Sequence, residues 1–442
     1  MSSGLPLSPR RRLSGRLHCE LRRLGVVQLL ALCQALAGGL WIRLTPPRAT
    51  RERRLAERLA RTLGRLRGPF AKLGQFASLR VDAIGPGARA ALSELRDRVP
   101  PLPFASIAAA IEAELGAPLS ILYREIDPVP LGAASIAQVH AAVMHDGRAV
   151  AVKVQYPWLA ASLPVDLALV RLGVRLTAGR RASRAPWLAE FAGGLREELD
   201  FTREAAVARE IAQNLAAESQ VVVPRVIESH SALRVLTMER LATIPLAALE
   251  ARGIPRRPVL EIIVRAYARQ IFEDGLFHAD PHPGNLFVVD EPEALHSPRV
   301  LFLDFGLSKR LAPELVRELR LGILALLRRD LPDFVAGMQR IGAVAPGAEA
   351  AVREAVASMF ARLAGESGSP LSLSGARVLS LKDEAKRLLY ETPGLTLPND
   401  LLLYAKTLSY LFALARELAP DVDPMPLTVP YLLRFLAVRD PA

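Results

Sequence analysis

The alternation of hydrophobic and polar positions changes along the chain and predicts distinct structural regions. Up to about residue 120 the pattern favours helices, which are arginine-rich over 46–99 and followed by another helix at about 104–116. Two apolar runs, "SIAQVHAAVM" and "AVAVKVQY", then meet at Asp146-Gly147 and predict a β-hairpin. A helical extension is therefore expected to precede a region rich in strands.

The later part of the chain is predicted to be mostly helical. Before it, the pattern predicts a helix at about 164–178, a charged helix over 187–218, and the strands "QVVVPRVI" and "LRVLTME". From residue 256 helices dominate and are interrupted by the strand pair "NLFVV" and "VLFLDFG". This order predicts an α+β protein with a helical extension, a small mostly β lobe and a large helical lobe.

Charge changes this picture only at the N-terminus. The formal net charge is +12, and residues 1–72 alone hold sixteen Lys or Arg against three Glu. Such a segment suits the phosphates of a membrane surface or of nucleic acid. Aromatic residues hardly interleave with these arginines, so nucleic acid is not the expected partner. The two cysteines, Cys19 and Cys33, have no metal-type spacing and fit a reducing compartment.

Residues 24–42 form an uncharged run between arginines, and three interpretations compete. An amphipathic helix, associated with a membrane or packed in the core, ranks first. The length is marginal for a membrane span. A cleaved signal peptide ranks last, because the candidate chemistry later in the chain belongs inside the cell. We therefore expect the cytoplasmic side of a bacterial inner membrane, with the cytoplasm as the alternative.

The segment "FHADPHPGNLFV" at 277–288 carries candidate chemistry. Asp280 and Asn285 stand five residues apart in the pattern H-x-D-x-x-x-x-N, and "LDFG" later places Asp304 at the end of an apolar strand. Kinase-type phosphoryl transfer needs one aspartate to position the nucleophile or accept its proton. An asparagine and a second aspartate hold Mg²⁺ through hard oxygen ligands. The pattern therefore predicts a phosphoryl-transfer site.

A lysine within an alternating apolar strand is a second candidate feature. Lys153 lies in "AVAVKV", where contact of its ammonium with nucleotide phosphates would explain it. The helix that contains "EELDFTREA" offers four carboxylates as partner: Glu197, Glu198, Asp200 and Glu204. By analogy with the lysine–glutamate pair of kinases, we predict Glu204. Upstream, "PLGAASIAQVH" with its Ser135 hydroxyl stands where a kinase has a glycine-rich loop.

Six segments together resemble the UbiB family of atypical kinase-like proteins, which is linked to coenzyme Q synthesis and lipid metabolism. They are "KLGQF" at 72–76, "AASIAQVH" at 133–140, "VAVKVQYP" at 150–157, "ELDFTREA" at 198–205, "FHADPHPGN" at 277–285 and "LDFG" at 303–306. The resemblance implies a protein-kinase-like two-lobe fold. Its expected parts are a membrane-associated segment (1–45), a helical KxGQ extension (46–120), an N-lobe (121–245) and a C-lobe (246–442).

The resemblance also implies a site that uses ATP and Mg²⁺. The catalytic residues would be Asp280, Lys153 and Glu204, and the metal ligands would be Asn285 and Asp304. The nucleotide would contact Ala133, Ala134, Ser135, Gln138, Lys153, Met238 and Glu239. In the family the KxGQ segment packs across the active site, where a protein kinase admits a peptide. Here Lys72 and Gln75 would do so, facing Glu198 and Asp200.

The implied function is ATP hydrolysis, or phosphoryl transfer to an unknown acceptor, at a membrane. The expected partners are a membrane lipid or an isoprenoid-quinone intermediate, together with quinone-biosynthesis proteins. The ending "VPYLLRFLAVRDPA" is too short and too charged for the hydrophobic spans that often end bacterial quinone-pathway members, which weakens that assignment. A small-molecule kinase and a nucleotide-gated, non-catalytic scaffold are the alternatives.

Overall fold

The computed structural model describes residues 26, 29, 68–70, 72, 101–183, 186–365, 384–385, 387–389 and 391–438. The helices are α1 (Phe104–Leu115), α2 (Leu119–Leu122), α3 (Leu159–Ser183), α4 (Pro186–Glu198), α5 (Phe201–Asn214), α6 (Arg256–Arg269), α7 (Pro313–Arg328), α8 (Leu331–Arg340), α9 (Glu349–Gly365), α10 (Asn399–Leu418) and α11 (Met425–Ala437). The strands are β1 (Glu125–Ala133), β2 (Ala137–Val143), β3 (Ala149–Gln155), β4 (Val221–Val222), β5 (Val235–Glu239), β6 (Thr243–Pro245), β7 (Leu276–Phe277), β8 (Leu286–Val289), β9 (Val300–Phe302) and β10 (Lys309–Arg310). This mixture of helix and sheet confirms the predicted α+β class.

The described chain forms two compact units, and the first contains an antiparallel sheet. This unit includes α1 to α4, the start of α5 as far as Ala205, and residues 225–240. Its strand order is β1-β2-β3-β5. β2 and β3 are the predicted hairpin, with Val139 opposite Lys153. Gly147 has a φ of +90° in the connecting turn, a conformation that favours glycine.

The core of this first unit lies on one face of β3. Val150, Val152 and Val154 are fully buried, because alternate residues of a strand point to the same side. Ile107 and Ile111 of α1, four residues apart, are also fully buried, and α1 packs against β3. Burial of each such side chain stabilises the fold by about 1.5–3 kcal/mol. Lys153 belongs to the other set of alternate positions on β3.

The single charged helix predicted over 187–218 is wrong, because the chain breaks it into α4 and α5. Asp200 stands between the two helices, and its carboxylate accepts hydrogen bonds from the N–H groups of Thr202 (3.0 Å) and Arg203 (3.2 Å). This is the arrangement of an N-cap, which satisfies the free donors at the start of a helix. A capping aspartate in mid-helix is therefore the physical reason for the break.

The predicted strand "QVVVPRVI" is also divided. Val221 and Val222 form β4, which pairs in parallel with β9 of the second unit. Val226 makes only an isolated bridge to Met238 of the first unit. Pro224 stands between these two pairings. Proline has no N–H for a strand ladder, so it marks the point at which the chain leaves one sheet.

The second unit contains residues 206–224 and the chain from Leu241 onward. Its four-stranded sheet has the order β4-β9-β8-β6, and β7 pairs with β10 in a two-stranded sheet. Helix α6 is amphipathic and buries Val259, Leu260 and Ile263. A π-helical turn follows α6 and ends at Gly275, which leads the chain directly into β7 and the segment with candidate chemistry.

Among the described residues, no helix is long and apolar enough to cross a membrane. The uncharged run at 24–42 lies outside the described residues, except for Val26 and Leu29.

Candidate active site

Lys153 and Glu204 form a bidentate ion pair within the first unit. The Lys153 ammonium donates to the two carboxylate oxygens of Glu204 at 2.7 and 2.9 Å. The side chains are 12% and 2% exposed, so water screens their attraction only weakly. The ammonium also lies 5.1 Å from the ring centroid of Phe201. The predicted pairing of these two residues is therefore present.

The strand explains where this ammonium points. Lys153 stands opposite Leu236 of β5 and Val139 of β2, so a strand on each side holds its backbone. The buried valines of β3 face the other way, because they occupy the alternate positions of the strand. Glu204 reaches it from the first turn of α5, which begins after the break at Asp200. The break between α4 and α5 thus helps to set the direction of the helix that carries Glu204.

Lys72 of the KxGQ segment contacts Glu198, as the sequence suggested. Its ammonium donates to a carboxylate oxygen of Glu198, and both side chains are largely buried. The Asp200 carboxylate instead accepts hydrogen bonds from the backbone N–H groups of Thr202 and Arg203, as the N-cap of α5. Gln75 lies outside the described residues.

The segment "PLGAASIAQVH", here called the alanine-rich loop, is held by hydrogen bonds to its backbone carbonyl groups. The Ala134 carbonyl accepts from the Tyr156 hydroxyl at 2.8 Å. The Ser135 carbonyl accepts from the N–H of Gly68 at 2.9 Å, and Ser135 is itself buried. Ala133 closes the paired part of β1, opposite Gln138. The loop is therefore tied at two successive carbonyl groups.

Gln138 is fully buried, and its side-chain amide is used inside the first unit. Its oxygen accepts from the N–H of Leu102 at 2.8 Å, and its nitrogen donates to Nε2 of His140 at 3.0 Å. Nδ1 of His140 donates to the Asp127 carbonyl at 2.8 Å, so this histidine is the neutral Nδ1–H tautomer. These bonds give Gln138 a role in packing, and the predicted contact with nucleotide stays a prediction.

Met238 and Glu239 end strand β5. Met238 is buried opposite Ala151, and Glu239 is half-buried opposite Val150. The N–H of Glu239 donates to the Arg225 carbonyl at 2.8 Å. Their predicted contact with nucleotide likewise stays a prediction.

In the second unit, the loop from Asp280 to Asn285 is folded back on itself. The His282 N–H donates to the Asp280 carbonyl at 2.7 Å, and the Asn285 N–H donates to the His282 carbonyl at 2.8 Å. The Asn285 side-chain nitrogen donates to the Asp280 carboxylate at 3.1 Å and to its carbonyl at 3.2 Å. Because the nitrogen is used in this way, the amide oxygen faces elsewhere. That oxygen is a hard donor of the type that Mg²⁺ prefers.

Strands β8 and β9 bring Asn285 close to Asp304. Leu286 pairs with Phe302, and the Leu303 N–H donates to the Asn285 carbonyl at 2.9 Å. Asp304 follows directly, with an exposed side chain. Its backbone is left-handed, with φ 60° and ψ 77°, which is uncommon for a residue other than glycine. Such local strain is typical of functional positions, and an oxygen-donor pair of Asn and Asp fits a magnesium ion.

His278 connects the two chemical segments of the second unit. Its Nε2 donates to the Leu303 carbonyl at 2.9 Å, while Nδ1 accepts from the Tyr267 hydroxyl at 3.0 Å and the Asp280 N–H at 3.3 Å. This pattern requires the neutral Nε2–H tautomer. Burial, and secondarily the charge of Asp280, raise the pKa of the Tyr267 phenol well above its usual value, so the hydroxyl stays a donor. His278 therefore fixes the backbone at Asp280 relative to the backbone at Leu303.

Two contacts of α10 with this loop were missed by the sequence analysis. Lys406 is ion paired with Asp280 at 3.2 Å, and the Thr407 hydroxyl donates to the Ala279 carbonyl at 3.2 Å. The available signal was the charge of Lys406 inside the apolar run at 401–415. Within the described residues there is no group of three or more His, Cys, Asp or Glu that could hold a metal. The asparagine of the expected magnesium set is not one of these residue types.

Comparison with known proteins identifies the family of the chain. A model of the ABC1 atypical kinase-like domain matches residues 94–336. The Marinobacter nauticus protein named "Probable protein kinase UbiB" is 34% identical over 399 residues, which cover 87% of this chain and 70% of that protein. A protein of the same name from Xylella fastidiosa strain M23 is 34% identical over 442 residues, covering 94% and 78%. A protein of the same name from Xanthomonas campestris pv. campestris strain B100 is 35% identical over 439 residues, which cover 93% of this chain and 76% of that protein.

A solved structure is also similar. It is a Mycobacterium tuberculosis protein in complex with erythromycin, 25% identical to this chain, with a TM-score of 0.50. The match covers 81% of this chain and 93% of that one.

Proposed function

Because the chain belongs to the UbiB family of ABC1 atypical kinase-like proteins, we propose that it binds ATP and Mg²⁺ and turns ATP over. The terminal phosphoryl group goes to water or to an acceptor at a membrane. In the cell this activity supports isoprenoid-quinone synthesis or lipid homeostasis. The kinase-like class follows from the family. Binding of ATP, binding of Mg²⁺ and action at a membrane are what we propose.

The observation that carries the proposal is the ion pair between Lys153 and Glu204. The Glu204 carboxylate that pairs with this strand lysine is only 2% exposed. Removing such a pair of charges from water costs free energy, and apolar residues in the same space would avoid that cost. Phosphoryl transfer supplies a reason for it, because the ammonium is then presented to nucleotide phosphates in a fixed position. The pairing was also predicted from the sequence, by analogy with the lysine–glutamate pair of kinases.

The residues of the second unit supply the remaining roles. Asn285 and Asp304 would hold Mg²⁺, which neutralises phosphate charge when it is bound. Asp280 would orient the attacking hydroxyl group and accept its proton. The neutral His278 keeps the backbone near Asp280 fixed to Leu303. These residues need only to be positioned, since phosphoryl transfer depends mainly on geometry and electrostatics.

The contact of Lys72 with Glu198 supports turnover of ATP without a peptide substrate. It ties the KxGQ segment to the end of α4 through a largely buried ion pair. Because this contact holds Lys72, and the resemblance places the KxGQ segment where a protein kinase admits a peptide, a polypeptide is not the preferred substrate. Water, or a small acceptor, is therefore the preferred recipient.

The decisive measurement is ATP turnover by the full chain with Mg²⁺, together with the variant Asp304→Asn. Loss of the metal-binding charge should lower turnover at least about 100-fold. Asp290→Asn is the control, because Asp290 is an exposed aspartate of the same unit, ion paired with Arg252 at 2.7 Å. Its turnover should equal that of the unchanged chain. Unchanged turnover in Asp304→Asn, or no heat when MgATP is injected, would reject the proposal.

The cellular role is tested by the quinone and lipid profile of a deletion strain. Restoration by the unchanged chain, but not by Asp304→Asn, supports a role that needs turnover. Restoration by both would favour a scaffold that uses nucleotide only to set its shape. Transfer of labelled γ-phosphate to a soluble alcohol would instead indicate a small-molecule kinase.

The membrane part is tested separately by flotation with anionic liposomes. The full chain should float with the vesicles, and a chain without residues 1–50 should not, because that segment carries the basic and apolar positions. Equal partition of the two proteins would contradict this part alone.

A further inference from the structure

Lys406 of helix α10 forms an ion pair with Asp280, the aspartate expected to act as the base. Nζ of Lys406 lies 3.2 Å from Oδ1 of Asp280, and the two side chains are 10% and 20% exposed. Between residues 401 and 415 the helix is otherwise largely apolar, so this charge stands out against its surroundings. The Lys406 ammonium also lies 5.3 Å from the ring centroid of Tyr410, one helical turn away.

The same helix is fixed to the loop by two further contacts. The buried Thr407 hydroxyl donates to the Ala279 carbonyl at 3.2 Å. The Tyr404 ring packs edge-on against Phe277, with 5.9 Å between centroids. Three positions of α10 thus contact the chain between Phe277 and Asp280. Lys406 therefore lies on a rigid element, and its contact with Asp280 is part of a defined interface.

Both oxygens of the Asp280 carboxylate have a donor. Oδ2 accepts from the Asn285 side chain at 3.1 Å, and Oδ1 accepts from Lys406 at 3.2 Å. A carboxylate held at only one oxygen can rotate about its Cβ–Cγ bond, whereas one held at both cannot. The second donor comes from a residue 126 positions away along the chain.

We propose that Lys406 is a positioning residue for phosphoryl transfer, which fixes the Asp280 carboxylate in the orientation that receives the attacking hydroxyl group. This inference rests on the proposed function. Lys406 neither gives nor takes a proton in the reaction, and it acts through Asp280. Removal of its charge should therefore slow turnover and leave nucleotide affinity unchanged.

The kinetic test compares Lys406→Met with Lys309→Met. Lys309 is also ion paired with α10, through Asp400 at 3.0 Å, and it does not contact Asp280. Lys406→Met should lower kcat for ATP about 10- to 100-fold, while KM and the calorimetric Kd for MgATP stay within about 2-fold. Lys309→Met should keep the full kcat. An equal loss in both variants, or a loss confined to KM, would overturn the proposal.

A second measurement needs neither turnover nor nucleotide. The unfolding midpoints of Lys406→Met, Asp280→Asn and the double variant form a double-mutant cycle. Direct coupling predicts that the double variant loses clearly less stability than the two single losses added together. Additive losses would overturn the proposal.

The two measurements also distinguish the possible failures. A wild-type chain without turnover rejects the proposed function, and the role of Lys406 in it, whatever the cycle gives. Wild-type turnover with normal kcat in Lys406→Met rejects the positioning role alone.

Discussion

The backbone N–H of Gly68 donates to the carbonyl oxygen of Ser135 at 2.9 Å. This bond joins the chain just before the KxGQ segment to the alanine-rich loop. Gly68 has a φ of +53°, and a Cβ added there would lie only 2.6 Å from Cδ1 of Leu159, a fully buried side chain. Only glycine adopts this positive φ without strain and also leaves room for the Leu159 side chain, so residue 68 allows the close approach of the chain to the loop at this point.

Gly68→Ala should therefore destabilise the protein by about 2–4 kcal/mol, through backbone strain and overlap together. Gly116→Ala is the matched control. Gly116 has a φ of +73°, and an added Cβ would meet nothing within 4 Å, so its cost should be near 1 kcal/mol. Chemical denaturation of both variants measures the difference. If the two substitutions cost the same, the close approach to Leu159 does not constrain this segment.

Glu204→Gln should destabilise the first unit by about 3 kcal/mol, because it removes the carboxylate from a buried ion pair with Lys153. It should also weaken MgATP binding, since the ammonium loses its fixed direction. Glu197→Gln is the control: Glu197 is ion paired with Arg203 at 2.8 Å, and both are exposed, so less than about 1 kcal/mol is expected. Denaturation and calorimetry measure the two effects. Equal stability losses would argue against an energetic role for the buried pair.

His140 should make stability depend on pH. Burial lowers the pKa of its imidazole below the usual 6.5. The unfolded chain therefore binds a proton that the folded chain does not, and stability is lost as the pH falls below about 6.5. The stability difference between the wild type and His140→Gln should shrink from about pH 8 to about pH 5. His145→Gln, at an exposed position of the same hairpin, is the control, and a similar pH-dependent difference there would refute the assignment.

The sequence predicted the contacts that a family motif specifies, and missed those that depend on packing. Lys153 and Glu204 could be paired in advance by analogy with the lysine–glutamate pair of kinases, although the same segment offered four carboxylates. Gln138 has the same polar character as a nucleotide contact, yet its amide bonds to Leu102 because of where the chain before α1 packs. Lys406 was visible as a charge in an apolar run, but its partner Asp280 is distant in sequence and only the fold brings them together.

The helix break at Asp200 has a related explanation. Asp200 lies in "ELDFTREA", where the family resemblance suggested that it faces the KxGQ segment. An aspartate also caps helices, and periodicity alone does not reveal which residue will leave the helical conformation. Of the two predicted acidic positions, Glu198 contacts Lys72, and Asp200 caps α5.

Tyr267→Phe tests whether the hydrogen bonds of His278 keep Asp280 in the position needed for turnover. The substitution removes the hydroxyl that donates to Nδ1 of His278 at 3.0 Å and leaves only the weaker Asp280 N–H there. A loss of about 1–2 kcal/mol is expected from the buried acceptor, with lower ATP turnover as Asp280 becomes less well fixed. Because burial raises the pKa of Tyr267 well above its usual value, only the unfolded chain loses this proton as the pH rises past about 10, so the stability loss should be full at pH 7 and should shrink above about pH 10. Tyr404→Phe is the control, since Tyr404 is also buried but does not hydrogen-bond to His278. An equal effect on turnover in this variant would contradict the proposed role of the His278 hydrogen bonds.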